Sequence, residues 1–169
     1  MKLLVIRHAP AEDRAEFART GLPDEHRPLT AEGRERMRRA ARGLREAVPA
    51  IGVLAASHLV RAAQTAEIVA GRYGVPVVTR RELAPEADPD ALVPWLRDHG
   101  ADETVAVVGH EPHLGFLVGW LTSGRHDSFV ELKKGAACLL EFDEPPTAGG
   151  ATLLWALAPA HLRALGRRG

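Results

Sequence analysis

Three short apolar runs in this sequence end in residues that chemistry can use. Residues 3–6 run into Arg7 and His8, residues 53–56 lead through Ser57 and His58 to Arg61, and residues 105–108 are followed by Gly109 and His110. Apolar runs without alternation suit strands buried on both faces. In an open parallel sheet, ligands bind beyond the carboxyl ends of the strands. If these runs are neighbouring strands, two imidazoles and two guanidiniums meet at one sheet edge, beside helix N-termini whose free N–H groups and dipoles favour an anion. By composition that is a phosphate site. Arg61 fits it well, since a cation in the first turn of a helix opposes the dipole unless an anion is present.

The elements that must hold these residues follow from periodicity. Met37, Ala40, Ala41, Leu44 and Val48 share one helical face, with Thr30 as N-cap and Pro49 as stop. A second helix is expected over residues 59–73 with Gly74 ending it. A third is expected over 89–99, with Asp88 as N-cap, and a fourth from about Pro112 with Leu114, Leu117, Val118 and Leu121 on one face. A further strand is expected at 75–78. Alternation of strand and helix predicts an α/β layer with a mostly parallel sheet. Residues 136–142 and 151–157 are strand-like and flank a Pro- and Gly-rich turn at 144–150, which leaves open a closing hairpin or two separated edge strands. Residues 10–28 are charged and aperiodic, a loop long enough to carry function.

The residues also show a resemblance. Arg7-His8-Ala9 after an opening strand resembles the Arg-His-Gly signature of the histidine phosphatase, or phosphoglycerate mutase-like, superfamily. The stretch Ser57-His58-Leu59-Val60-Arg61-Ala62-Ala63-Gln64-Thr65 is similar to that superfamily's Ser-Pro-x-x-Arg-Ala-x-Gln-Thr segment, and Val108-Gly109-His110 to its second histidine. Arg27-Pro28-Leu29-Thr30 with Gly33, and Glu82-Leu83-Ala84-Pro85, further resemble the SixA-type branch. The match spans nearly the whole chain in the right order. It implies a three-layer sandwich with a mostly parallel central sheet flanked by helices, without the large cap insertion of mutases and acid phosphatases. Two positions depart from the pattern. Ala9 stands for the usual glycine, which requires an unstrained φ, and His58 for the usual proline, which adds a titratable ring near the phosphate.

Chemistry makes the roles that the resemblance implies intelligible. Attack on phosphorus needs an imidazole with a free lone pair, held through its other nitrogen, and His8 is the expected nucleophile. Arg7 and Arg61 can fork around phosphoryl oxygens, and their field is expected to keep His8 neutral. His110 is expected as a cationic or hydrogen-bonding partner of the transferred group, and Glu82 as proton donor to the leaving group. His58 is a further candidate phosphate ligand. The remaining histidines His26, His99, His126 and His161 read as structural or surface residues. His110-Glu111-Pro112-His113 lacks the spacing of a zinc motif, so neither metal nor cofactor is expected. The six arginines between positions 34 and 45 lie among glutamates and read as a solvated face.

Composition narrows the rest. The 169 residues suit a single domain over 1–169, with a folded surface of roughly 8,100 Å² against about 26,000 Å² extended, room enough for a core. Basic and acidic residues number 22 each and aromatics are 5%, which disfavours nucleic acid and anionic membranes as partners. One cysteine and an opening apolar run of four residues point to the cytoplasm. The expectation is therefore a cofactor-independent phosphatase that forms phosphohistidine on His8 and acts, as the resemblance implies, on phosphohistidine in a protein. The alternatives are a phosphatase of a small phosphorylated metabolite and a non-catalytic phosphate-binding regulator.

Overall fold

In the computed structural model, which describes residues 1–167, the central apolar runs form neighbouring strands. β1 (Lys2–Arg7), β2 (Val53–Ala56), β3 (Val77–Thr79) and β4 (Thr104–Gly109) lie parallel in the order β3-β2-β4-β1. β5 (Ala137–Phe142) runs antiparallel to β1, and β6 (Ala151–Leu157) antiparallel to β5. The last two strands are thus the closing hairpin. Each central strand feeds two cores, which is why its sequence does not alternate. Leu3, Val5, Val105 and Val107 face one side, and Leu4, Ile6, Ala106 and Val108 the other.

The first face is covered by α4 (Val93–Arg97) and α5 (His113–Ser123), the second by α2 (Ala31–Ala47), α3 (Val60–Tyr73) and α6 (Pro159–Leu165). This is the three-layer sandwich, with no large insertion among the described residues and a total accessible surface of 8160 Å². Thr30 caps α2 as expected, its hydroxyl accepting from the Gly33 amide at 2.9 Å. Gly43 inside α2 lets α6 cross closely, because a Cβ there would lie 1.8 Å from the Leu162 carbonyl oxygen. Gly74 ends α3 at φ +74°.

Four segments differ from expectation. Residues 89–99 form no single helix: a 3-10 turn at Pro89–Leu92 precedes α4, and Asp88 makes no side-chain cap. Pro94 is the cause, since it has no N–H for the Asp90 carbonyl and its ring crowds the preceding turn. β3 begins two residues late, because the Val75 amide still bonds Ala70 at the end of α3 and Pro76 has no donor for the ladder. The aperiodic stretch 10–28 holds α1 (Arg14–Ala18), capped by the Asp13 carboxylate, and a 3-10 turn at Asp24–His26. α6 was not expected, and seven residues ending near the C-terminus give little periodicity to read.

Candidate active site

The β1–β4 ladder pairs Arg7 with Gly109, and the His8 amide donates to the Gly109 carbonyl at 3.0 Å. His8 and His110, each the residue after its strand, therefore stand side by side. Their ring centroids are 5.1 Å apart and their planes tilted by 52°. Both are buried, with 6% and 2% of their surface exposed. A concavity of about 460 Å³ opens over them, and Arg7 and Arg61 also line it. The three βα junctions thus converge on one space.

His8 Nδ1 lies 2.7 Å from the Ala9 carbonyl oxygen. A carbonyl only accepts, so Nδ1 carries the proton and Nε2 keeps its lone pair. Burial pulls the pKa of His8 down to about 3, opposed by the Ala9 carbonyl and assisted by Arg61 and Arg7. The arginine field expected to keep the ring neutral is real, but desolvation is the larger cause. His110 is pushed to about 2, first by burial and then by the His8 ring and Arg61. Neither of its ring nitrogens has a hydrogen-bond partner. An unpaired buried imidazole is costly unless a ligand completes it. Of the two forms expected for it, burial favours the neutral ring.

Arg7 donates through one terminal nitrogen to the Leu132 carbonyl, and its Nε is unpaired. Arg61, 3% exposed, is held by Asp24 of the 3-10 turn. One terminal nitrogen lies 3.2 Å from the carboxylate and the other donates to the Asp24 carbonyl at 3.0 Å. The same carboxylate pairs with Arg27 at 2.7 Å and Arg14 at 3.5 Å. Against the burial that raises it, the Arg27 hydrogen bond and the Arg61 charge hold the Asp24 carboxyl below its usual range. Thr65 bolts the strand end that carries His8 to α3, its hydroxyl accepting from the Ala9 amide at 3.0 Å and donating to the Arg61 carbonyl at 2.7 Å. Gln64 accepts from the Leu29 amide at 2.9 Å. Ala9 carries no strain, since no non-glycine residue among those described has positive φ.

The remaining candidates lie further out. Glu82, on the 3-10 turn Arg81–Leu83, is a third exposed, stands 3.8 Å from Arg80, and does not line the concavity, although Pro85 does. His58 does not line it either, yet is near enough for its charge to bear on His110. Sequence reasoning missed Asp24, Glu111 and Lys134. Glu111 lines the concavity and accepts from the Leu132 amide at 2.9 Å and the Gly115 amide at 3.2 Å, so it ties α5 to the segment that carries Lys134. Burial raises its pKa. In the sequence Glu111 stands out only within His110-Glu111-Pro112-His113, and among the described residues no three His, Cys, Asp or Glu side chains gather as metal ligands would. Arg27 also lines the concavity, and its place in Arg27-Pro28-Leu29-Thr30 was the one signal for it.

Comparison with known proteins gives a consistent result. The sequence profile of the histidine phosphatase superfamily (branch 1) matches residues 3–86. An uncharacterised protein of Picosynechococcus sp. is 34% identical over 137 residues, 79% of this chain and 81% of that protein. Phosphohistidine phosphatase SixA of Escherichia coli is 27% identical over 96% of this chain and 97% of its own. A solved structure of the protein histidine phosphatase SixA complexed with tungstate superposes with a TM-score of 0.81 at 28% identity, covering 96% of this chain and 99% of that one. From strand order to the paired histidines, the chain belongs to the histidine phosphatase superfamily, in its SixA-type branch.

Proposed function

We propose that this phosphatase removes the phosphoryl group from phosphohistidine on a protein, by way of a phosphoryl group carried briefly on His8. The observation that carries the reading is the Nδ1 bond of His8 to the Ala9 carbonyl, which leaves Nε2 unprotonated at the concavity the ring lines. The Nε2 lone pair forms the new bond to phosphorus as the substrate's P–N bond breaks, and that electron pair returns to the departing imidazole. A phosphohistidine already protonated on its other nitrogen leaves as neutral imidazole, so no carboxylic acid has to deliver a proton. The position of Glu82 outside the concavity is compatible with such a leaving group. Arg7 and Arg61 would fork onto the non-bridging oxygens, and His110 would donate a hydrogen bond to them. Water then attacks phosphorus, the P–N bond returns its pair to Nε2, and dihydrogen phosphate departs.

The protein substrate is supported by the lack of a covering insertion among the described residues and by the similarity to proteins named as phosphohistidine phosphatases. A small phosphorylated metabolite is the second reading, favoured by a concavity whose size falls within the usual range for small ligands. For the setting, we propose the cytoplasm: Cys138 is buried with its thiol pushed up to about 12, which suits an unreactive cysteine in a reducing compartment. No helix of the described residues is long and apolar enough to cross a membrane. The test is a comparison of kcat/KM on a phosphohistidine protein with a panel of phosphate monoesters. The protein should lead by at least about 100-fold, a difference of about 2.7 kcal/mol in transition-state binding. Preference for one small ester would overturn the substrate assignment.

A further inference from the structure

A second concavity, of about 360 Å³, adjoins the catalytic one, and Lys134 lines both. Ala9, the residue after the nucleophile, forms part of its wall. Gly135, which also lines it, is fixed to the same strand end, because its amide donates to the carbonyls of Arg7 at 3.2 Å and His8 at 3.1 Å. The floor is apolar, from Met37 and Ala40 of α2 and Pro159 of α6. The rim is basic, from Arg36, Lys133, Lys134 and Arg163, and no carboxylate of the described residues lines it. Arg36 is paired with Glu32, whereas Lys133, Lys134 and Arg163 form no ion pair among the described residues. In a chain whose charges balance at 22 of each sign, four cations around an apolar floor are a local asymmetry. The catalytic concavity differs, since Glu12, Asp13 and Glu111 stand among its cations.

A ligand that fills both spaces must be extended, with its phosphoryl group at His8 and an adjoining part passing Lys134. We infer that the second concavity binds the polypeptide flanking the substrate's phosphohistidine, an acidic stretch with one apolar side chain anchored between α2 and α6. Acidic side chains meet Lys133, Lys134 and Arg163, and the anchor covers Met37 and Ala40. This inference rests on the phosphohistidine reading above. It adds where the rest of the substrate lies and what chemistry that part must have.

The test uses two synthetic peptides of equal length, each with a single phosphohistidine, one flanked by Glu and Leu and the other by Lys and Ser. Para-nitrophenyl phosphate reports the catalytic site alone. The wild-type protein should favour the acidic peptide by about five- to tenfold in kcat/KM, and the preference should shrink as salt is added. Lys133→Glu with Arg163→Glu should abolish or reverse the preference while turnover of para-nitrophenyl phosphate stays within about twofold. Ala160→Trp, at an exposed lining position, should fill the space and raise KM for the acidic peptide with kcat unchanged. Equal use of both peptides by the wild-type protein would overturn the docking site and leave the phosphohistidine reading standing. Turnover of para-nitrophenyl phosphate but of neither peptide would overturn the phosphohistidine reading and the docking site with it. An equal loss on peptide and para-nitrophenyl phosphate in the charge-reversed protein would contradict a separate docking role.

Discussion

His8 and His110 stand at the ends of adjacent central strands, locked by the ladder that pairs Arg7 with Gly109, whereas Arg61 enters the same concavity from α3 and is held by Asp24, 37 residues away in sequence. The strand-end rings are sealed and neutral. The helix arginine is sealed as well, but its partner Asp24 is 39% exposed and shared with Arg27 and Arg14. The sheet therefore fixes the groups whose placement the phosphoryl transfer proposed here depends on, while an ion-pair cluster that reaches solvent only through Asp24 and Arg14 holds the charge that this proposed transfer would turn to an arriving anion. Phosphoryl transfer asks mainly for positioning and electrostatics, and here the two requirements are met by different regions.

Changes to the strand-end pair should have the largest effects. His8→Ala should lower kcat by about 10⁴-fold or more, since it removes the proposed nucleophile, and His110→Ala by about 10²- to 10³-fold, as loss of one proposed preorganised donor would. A His110→Ala protein within a few-fold of wild type would remove that ring from the chemistry.

The same pair should make stability depend on pH. Both rings titrate near 6.5 in the unfolded chain but at about 3 and about 2 in the folded protein. Between those values the unfolded chain binds more protons, so stability is complete above about pH 7 and is lost as pH falls towards 3. From pH 7 to pH 5 the loss should be about 2–4 kcal/mol in urea unfolding, and His110→Gln should remove about half of the slope. A flat profile would mean that the rings are not held neutral by burial.

The Asp24 cluster should respond more mildly. Asp24→Asn leaves Arg61, Arg27 and Arg14 without their shared carboxylate, and kcat/KM should fall by about tenfold through misplacement of Arg61. An increase would show that Asp24 only competes with the substrate for Arg61.

The strand-end pair and Arg61 were legible in the sequence, and the carboxylate that holds Arg61 was not. Unbroken apolar runs marked β1, β2 and β4, and the residues following them marked Arg7, His8 and His110, because strand direction alone places those at one edge. Thr30 and Gly74 bounded two helices through local cap chemistry. Asp24 carried no such signal. It sits in a stretch without period, and its role arises only when that turn folds onto α3. Glu111 likewise depends on an amide 21 residues further along the chain. The split of residues 89–99 has its signal in Pro94, whose missing donor interrupts the helical period. The dominance of burial over arginine charge in keeping His8 neutral depends on packing by both cores, which no local pattern reports.

A phosphoryl group that passes through His8, as proposed, can be trapped there. Rapid mixing with ³²P-labelled substrate, followed by a quench in base, should trap label that is stable in base, labile in acid and carried on His8. Peptide mapping should find it there in wild-type protein and nowhere in His8→Ala. Label on another residue, or turnover with no trapped protein-bound phosphate under single-turnover conditions, would contradict the account.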